Sequence, residues 1–430
     1  MNQKVLAYYF PQYHSIPEND KVFGKDFTDW ELFKDETNSR LSSCKFPLDP
    51  PEGLGYYDPT LLDTRQKQAA LAKKYGVDGF IYYHYWLENQ PVMNKVIDNL
   101  IIDNEPNLPF CLCFANASWL HLYRINSGQK KYHPDGSTFK QLYDKPKDHA
   151  EYLQKIFNHP NYLRIENKPV LFIYKLNPEV MCYINNLIKE LKSFDINNLY
   201  IIVNTSVYCL STNTIEDIIP DNYSLINAYS PFMAHYNKIM SRQDILLELP
   251  NYLLNLPCTY GALMGWNCIP RYPYAERIQD YKPEFITKKI CKDLLLMRQD
   301  KLALPFYTLF AWNEWAEGAT IEPNTFYGEK LGYAIKKGRE LADIINTKFS
   351  NVSFEYGNFK YDKYLVYKNI TNLVYEKCIE YRDNKWCIYI PKGDYDRAHL
   401  FGDPIYGVLK IIRINKIIYN DQKEIIIPLE

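Results

Sequence analysis

Short apolar runs recur along the chain, and stretches with helical spacing separate them. The runs fall at residues 5–10, 79–86, 110–115, 170–174, 199–203, 224–229, 259–266 and 307–311. Each has the length of a buried strand, and most are continuous rather than alternating. Between them, apolar positions repeat three and four apart, which predicts helices near 59–75, 92–102, 149–157, 178–193, 241–254, 282–298 and 329–349. In the helix at 59–75, Leu61, Leu62, Ala69, Leu71 and Ala72 supply much of one face, and Gly76 ends it. Near-continuous strands alternating with helices imply a parallel sheet covered on both sides. Eight such units fit an α/β fold of the TIM type, a (β/α)8 barrel, which runs from about 200 to over 400 residues. A doubly wound open sheet is the alternative. It calls for a Gly-rich phosphate loop after the first strand, where Pro11 and Gln12 stand instead.

Beyond residue 348 the helical period fades. Short alternating runs near 365–367, 386–390, 408–414 and 425–429 predict a small β-rich appendage. The expected organisation is a barrel over 1–348 and that appendage over 349–430.

Composition narrows the partners. Of 430 residues, 47% are apolar, enough for a sizeable core, and the net charge is -1. That mixed, near-neutral balance argues against nucleic acid or an anionic membrane surface as the main partner. No run reaches about 18 apolar residues, so no spanning helix is expected. The first apolar run follows a single Lys and lacks a signal peptide's length and cleavage site, so the expected location is cytoplasmic. Ten cysteines are scattered with no C-x-x-C pair. They read as buried thiols of a reducing compartment, and reduction of the native protein is expected to leave its mass unchanged.

The candidate chemistry gathers after the eighth run. Apolar residues 306–311 give way to Trp312-Asn-Glu-Trp-Ala-Glu-Gly318. Glycosidic bond chemistry uses two carboxyl groups, one to protonate the leaving oxygen and one to act as nucleophile or base. Glu314 and Glu317 are such a pair, and an indole can take the apolar face of a sugar while its N–H bonds a hydroxyl. Glu322, just downstream, reads as a solvated or structural group.

In a barrel the C-terminal strand ends converge on one face, where active sites lie. Those ends bring Tyr13 and His14, His84 and Tyr85, Asn116 and Trp119, Trp266, and Trp312, Asn313 and Trp315, with Trp30 from the long first loop. These are the candidate sugar-binding residues, joined by Arg271 below. Taken singly, His14 and His84 fit satisfied core histidines better than sugar ligands, and Trp30 and Trp119 fit plugs in the barrel mouth. No H-x-x-x-H or H-E-x-x-H spacing points to a metal, and no G-x-S-x-G points to a serine nucleophile. No cofactor is expected.

Several long motifs carry a family resemblance. Tyr8-Tyr-Phe-Pro-Gln-Tyr-His14, Pro17-Glu-Asn19 and Phe27-Thr-Asp-Trp30 resemble the opening of the WbsX-type proteins. So do Gly76-Val-Asp-Gly-Phe-Ile-Tyr-Tyr-His-Tyr-Trp86 and Phe310-Ala-Trp-Asn-Glu-Trp-Ala-Glu-Gly318 with Ile321-Glu-Pro323. Over about residues 4–345 the chain is similar to that group, which is related to glycoside hydrolase family 99 and is commonly encoded with bacterial surface-polysaccharide (O-antigen or capsule) genes. The resemblance implies a barrel acting on α-linked glycans without metal, with retaining, mannosidase-like chemistry. It implies that Glu314 assists the sugar's own 2-hydroxyl in attacking the anomeric carbon, and that Glu317 is the acid/base. Two acidic positions of the usual pattern are lost. Phe114-Ala-Asn-Ala-Ser-Trp119 places Ala117 at one, and Trp266-Asn-Cys268, ahead of Arg271, places Asn267 at the other. A glycosyltransferase using the same pocket and an inactive carbohydrate-binding barrel are the alternatives. A glycan or sugar-linked substrate is the expected partner, with contact to other polysaccharide-assembly enzymes.

Overall fold

The computed structural model describes residues 3–31, 33–34, 53–119, 122–125, 129–131, 139–205, 224–231, 256–267, 277–278, 282–359 and 366–430. It divides into two compact units, residues 1–281 with 302–333, and residues 282–301 with 334–430.

The first unit contains a closed barrel of eight strands: β1 (Lys4–Tyr9), β2 (Gly79–Leu87), β3 (Phe110–Phe114), β4 (Lys168–Ile173), β5 (Tyr200–Asn204), β6 (Ile226–Ser230), β7 (Cys258–Leu263) and β8 (Ala303–Phe310). Each pairs in parallel with the next, and β8 pairs with β1 to close the ring. This is the expected (β/α)8 architecture. Helices α1 (Leu62–Tyr75), α2 (Lys95–Asp103), α3 (Pro146–Phe157) and α4 (Pro178–Leu191) follow β1 to β4. Gly76 and Asn104 close α1 and α2 in the left-handed region, while Pro146 and Pro178 open α3 and α4. Residue 92, expected to begin a helix, instead pairs Gln90–Val92 back onto β2 as a hairpin. The expected helix at 241–254 lies outside the described residues.

Side chains alternate between the barrel interior and the helix layer. Tyr8 points inward. Its ring meets Tyr83 of β2, Phe172 of β4 and Phe310 of β8, and its hydroxyl donates to Asn204 Oδ1 at 3.0 Å. Tyr9 points outward and donates to Gln68 Oε1 of α1 at 2.7 Å. Where α5 (Pro283–Gln299) and α6 (Lys330–Lys348) follow β7 and β8, α6 starts in this unit. A Cβ on Gly332 would stand 2.3 Å from the ring of Tyr75, which is fully buried and cannot retreat. Gly332→Ala is therefore expected to destabilise by about 1–3 kcal/mol, the usual cost of overpacking. A melting midpoint unchanged from wild type would contradict that fit.

The second unit carries two antiparallel sheets. One has four strands, Val366–Asn369, Phe354–Asn358, Ile411–Ile414 and Ile417–Tyr419 in that spatial order. The other has three, Ile379–Arg382, Lys385–Ile390 and Ile425–Pro428. Two short helices, Thr371–Lys377 and Asp394–Phe401, accompany them, which the β-rich expectation did not include. Most of α6 and all of α5 belong to this unit. Buried Arg397 gathers its loops, donating to the carbonyls of Pro391, Asn420 and Lys423 at 2.8 Å each.

Candidate active site

After β8 the chain leaves the barrel wall with Trp312, whose backbone N–H donates to the Tyr8 carbonyl at 2.8 Å. Asn313–Glu314 then pairs antiparallel with Ala319–Thr320, and a single 3-10 turn, Trp315–Glu317, connects them. Gly318 closes the turn at φ 60°, and its carbonyl comes within 2.8 Å of where a Cβ on Gly265 would stand. Glu314 therefore immediately precedes the turn and Glu317 ends it. Glu314 is buried and Glu317 half-buried.

Both neighbours of Glu314 are fixed. Asn313 spends its amide on the backbone of Phe10, accepting at 2.8 Å and donating at 2.9 Å. Tyr13 donates to the Asn313 carbonyl at 2.5 Å and accepts from the Trp315 N–H at 3.1 Å. Trp30 covers Tyr13 at 4.3 Å between ring centroids and donates its indole N–H to the Tyr57 carbonyl at 2.8 Å. Tyr83 stands inside the barrel, where burial and the charge of Glu314 raise its pKa well above the ordinary tyrosine value. It lines the site beside Glu314, a position that strict alternation along β2 could have revealed.

Beneath the turn lies a carboxylate read from the sequence as solvated or structural. Glu322 is 0% exposed, so the solvated reading is wrong. Its Oε1 accepts from Gln68 Nε2 at 2.6 Å and Trp312 Nε1 at 2.8 Å. Its Oε2 accepts from the Tyr57 hydroxyl at 2.7 Å and Trp315 Nε1 at 2.8 Å. Burial pushes this carboxyl up to about 7, against the pull of the four donors. The same bonds correct the expectation for the two indoles. Trp312 and Trp315 are wholly buried with their N–H groups spent on Glu322, so neither offers a free face or donor to a sugar.

The other expected sugar-binding residues divide. Tyr13 and Trp30 join the cluster around the turn. His14 is buried, bonds the Pro11 carbonyl through Nδ1 at 2.9 Å and leaves Nε2 without a partner; burial lowers its pKa. Tyr85 and Trp119 are half-buried and meet edge to face at 5.4 Å. Asn116 is committed to backbone, accepting from the Lys175 N–H at 2.8 Å and donating to its carbonyl at 2.7 Å, with Tyr143 at 3.2 Å. His84 points away from the site. It alternates with inward Tyr83, so its ring lies against Phe114 and the α3 residues His149 and Tyr152. His84 and His149 share a 2.8 Å Nε2–Nε2 hydrogen bond, and His149 Nδ1 bonds the Tyr183 hydroxyl at 2.8 Å. Burial pushes His84 down to about 3, which marks a neutral core histidine. Trp266 lies on a two-residue strand paired with Arg277–Ile278, and Arg271 lies outside the described residues. Among the described residues, no group of three or more His, Cys, Asp or Glu could hold a metal ion, and no helix is long and apolar enough to cross a membrane.

Comparison with known proteins agrees with this architecture. Two curated relatives from strains of Xanthomonas campestris pv. campestris, each named uncharacterized protein WxcX, are 26% identical over 363 residues. The match covers 77% of this chain and 48% of theirs, so the chain spans about half the length of the curated relatives it matches. The endo-alpha-mannosidase of family GH99 from Bacteroides thetaiotaomicron, solved with bis-tris propane, superposes with a TM-score of 0.51 at 14% identity, covering 82% of this chain and 100% of that one. A solved glycoside hydrolase-like protein gives a TM-score of 0.50 at 14% identity, covering 78% and 94%. At such identities the likeness is one of fold. The family described as Glycosyltransferase WbsX matches residues 5–335, and this chain belongs to it.

Proposed function

We propose that this protein is a carbohydrate-active enzyme that cleaves or transfers at an α-glycosidic bond, with Glu314 and Glu317 as its carboxyl pair. One observation carries the reading: the two glutamates bracket a single 3-10 turn at the C-terminal mouth of the barrel, and the residues on either side of Glu314 are held by buried hydrogen bonds. The family membership and the fold shared with a GH99 mannosidase support it. In the proposed sequence Glu314 takes the proton of the sugar 2-hydroxyl as that oxygen bonds to the anomeric carbon. Glu317 gives its proton to the departing oxygen as the glycosidic bond breaks. In the second half the incoming hydroxyl loses its proton to Glu317 and bonds the anomeric carbon as the bond from the 2-oxygen to that carbon breaks, and the 2-oxygen recovers its proton from Glu314.

Only one short turn separates the two glutamates, with Glu314 just before it and Glu317 at its end. That suits the roughly 5–5.5 Å carboxyl spacing of retaining enzymes better than the about 6.5–9.5 Å of inverting ones. Net retention of anomeric configuration is expected. A second reading, transfer, has the family's own description in its favour. Water and an acceptor sugar compete for the same intermediate, so the carboxyl pair serves either outcome. The test is incubation with α-mannans, α-glucans and lipid-linked α-glycans, with products resolved by mass spectrometry. Free reducing ends indicate hydrolysis, and extended acceptors indicate transfer. Binding without any product would contradict the enzymatic reading and leave a carbohydrate-binding barrel. Work on bacterial surface polysaccharide is the role this family suggests.

A further inference from the structure

We infer that Glu322 is a positioning residue for the reaction: a buried carboxylate that sets the place of Glu314 and Glu317 by anchoring the indoles on either side of Glu314. The inference rests on the reading of that pair given above.

All four of its bonds run to groups that shape the turn or its support. Trp312 stands two residues before Glu314 and Trp315 one residue after it. One carboxylate thus pins both ends of the segment Trp312–Trp315, one oxygen to each indole. The same segment folds back on Glu322 through the backbone. The Ile321 N–H donates to the Trp312 carbonyl at 2.9 Å, and the Thr320 hydroxyl donates to that carbonyl at 3.0 Å. The Thr320 hydroxyl also accepts from the Glu322 N–H at 3.2 Å.

The remaining two donors tie the anchor to the scaffold. Gln68 is itself oriented by the Tyr9 hydroxyl, so α1 and β1 fix one side. Tyr57 also accepts from Asn313 Nδ2 at 3.2 Å, and its carbonyl holds Trp30 over Tyr13. A carboxylate with two acceptor sites per oxygen matches four converging donors, whereas a buried amide would turn its own N–H toward two of them. Two carboxyl oxygens at this place therefore fit the four donors in a way that an amide of the same shape cannot reproduce.

The test uses 15N-tryptophan-labelled full chain and an α-mannan as probe substrate. Indole N–H signals of Trp312 and Trp315 are assigned by single Trp→Phe replacements. Tyr57→Phe removes one donor and keeps the carboxylate, so it is the primary variant; Glu322→Gln is the second. Ile184→Val, in the core of α4, controls for lost stability alone. Tyr57→Phe is expected to shift both indole signals and to lower kcat about 10-fold or more with KM within about 2-fold, since small misplacements of catalytic groups are that costly. Ile184→Val is expected to change neither. Unmoved indole signals in Tyr57→Phe would overturn the anchoring whatever the enzyme's activity. Shifted signals with wild-type kcat would overturn the positioning role. No turnover of any α-mannan, α-glucan or lipid-linked α-glycan by the wild-type chain, or full turnover by Glu314→Gln, would instead overturn the functional reading, with the anchoring then judged on the indole signals.

Discussion

Replacing Glu314 or Glu317 by Gln is expected to lower turnover at least about 10²-fold each, the scale of a general acid or base, while leaving the fold intact. The two losses should differ in kind. An acid is needed only where the departing oxygen must be protonated. Glu317→Gln should therefore recover much of its rate on an α-glycosyl fluoride, whose leaving group needs no proton. Glu314→Gln should not, because the 2-hydroxyl still has to lose its proton. Ligand binding should largely survive in both, since the amides keep the shape. Asn313, Tyr13 and the indoles hold the turn through bonds that neither substitution removes. Melting midpoints should therefore stay close to wild type. Equal loss on natural and fluoride substrates in Glu317→Gln would remove its assignment as the acid.

The second large effect is on stability. Glu322→Gln would look like a mild neighbouring control from the sequence, yet the structure makes it severe. The amide nitrogen would face two buried donors, and each donor left unmade costs about 1–3 kcal/mol, or about 2–6 kcal/mol together. A fall of at least about 4 °C in the melting midpoint should follow. The pH dependence has a definite sign. In the unfolded chain this carboxyl titrates at about 4.3, and in the folded chain burial raises it to about 7. Between those values the folded state binds more protons, so this group's contribution is full below pH 4.3 and is lost as pH rises through 7. That component should vanish from the stability profile of Glu322→Gln. A variant as stable as wild type, with an unchanged profile, would contradict the burial of this carboxylate in a donor cage.

The barrel was legible because its strands are covered on both faces. Runs such as Phe110–Phe114 and Tyr200–Asn204 are fully buried, so they stand out as unbroken apolar stretches. Element ends were less legible. Ala303–Phe310 begins four residues before the expected strand because Pro305 looks like a terminator, although β8 still pairs with both neighbours. The discontinuous division of the chain, with α5 grouped with the C-terminal sheets, has no compositional marker.

The site was half legible. Glu314 and Glu317 stood out because two carboxylates follow a strand at short spacing. Glu322 did not, because a single Glu in a polar segment has no period that reports burial. The signal that could have found it is an accounting one: Trp312 and Trp315, next to a buried strand, each need an acceptor for an indole N–H. His84 was misplaced for a different reason. Ending a strand puts a residue near the mouth but does not decide its side, and Tyr83 takes the inward position.

A carboxyl pair acting with retention at an α-glycosidic bond has a direct readout in 1H NMR of the first product formed from an α-mannan, before mutarotation, for wild type and Glu314→Gln side by side. The expected result is an α-anomer signal that grows with the wild-type enzyme and grows at least about 100-fold more slowly with Glu314→Gln. A β-anomer, or equal rates from the two proteins, would contradict it.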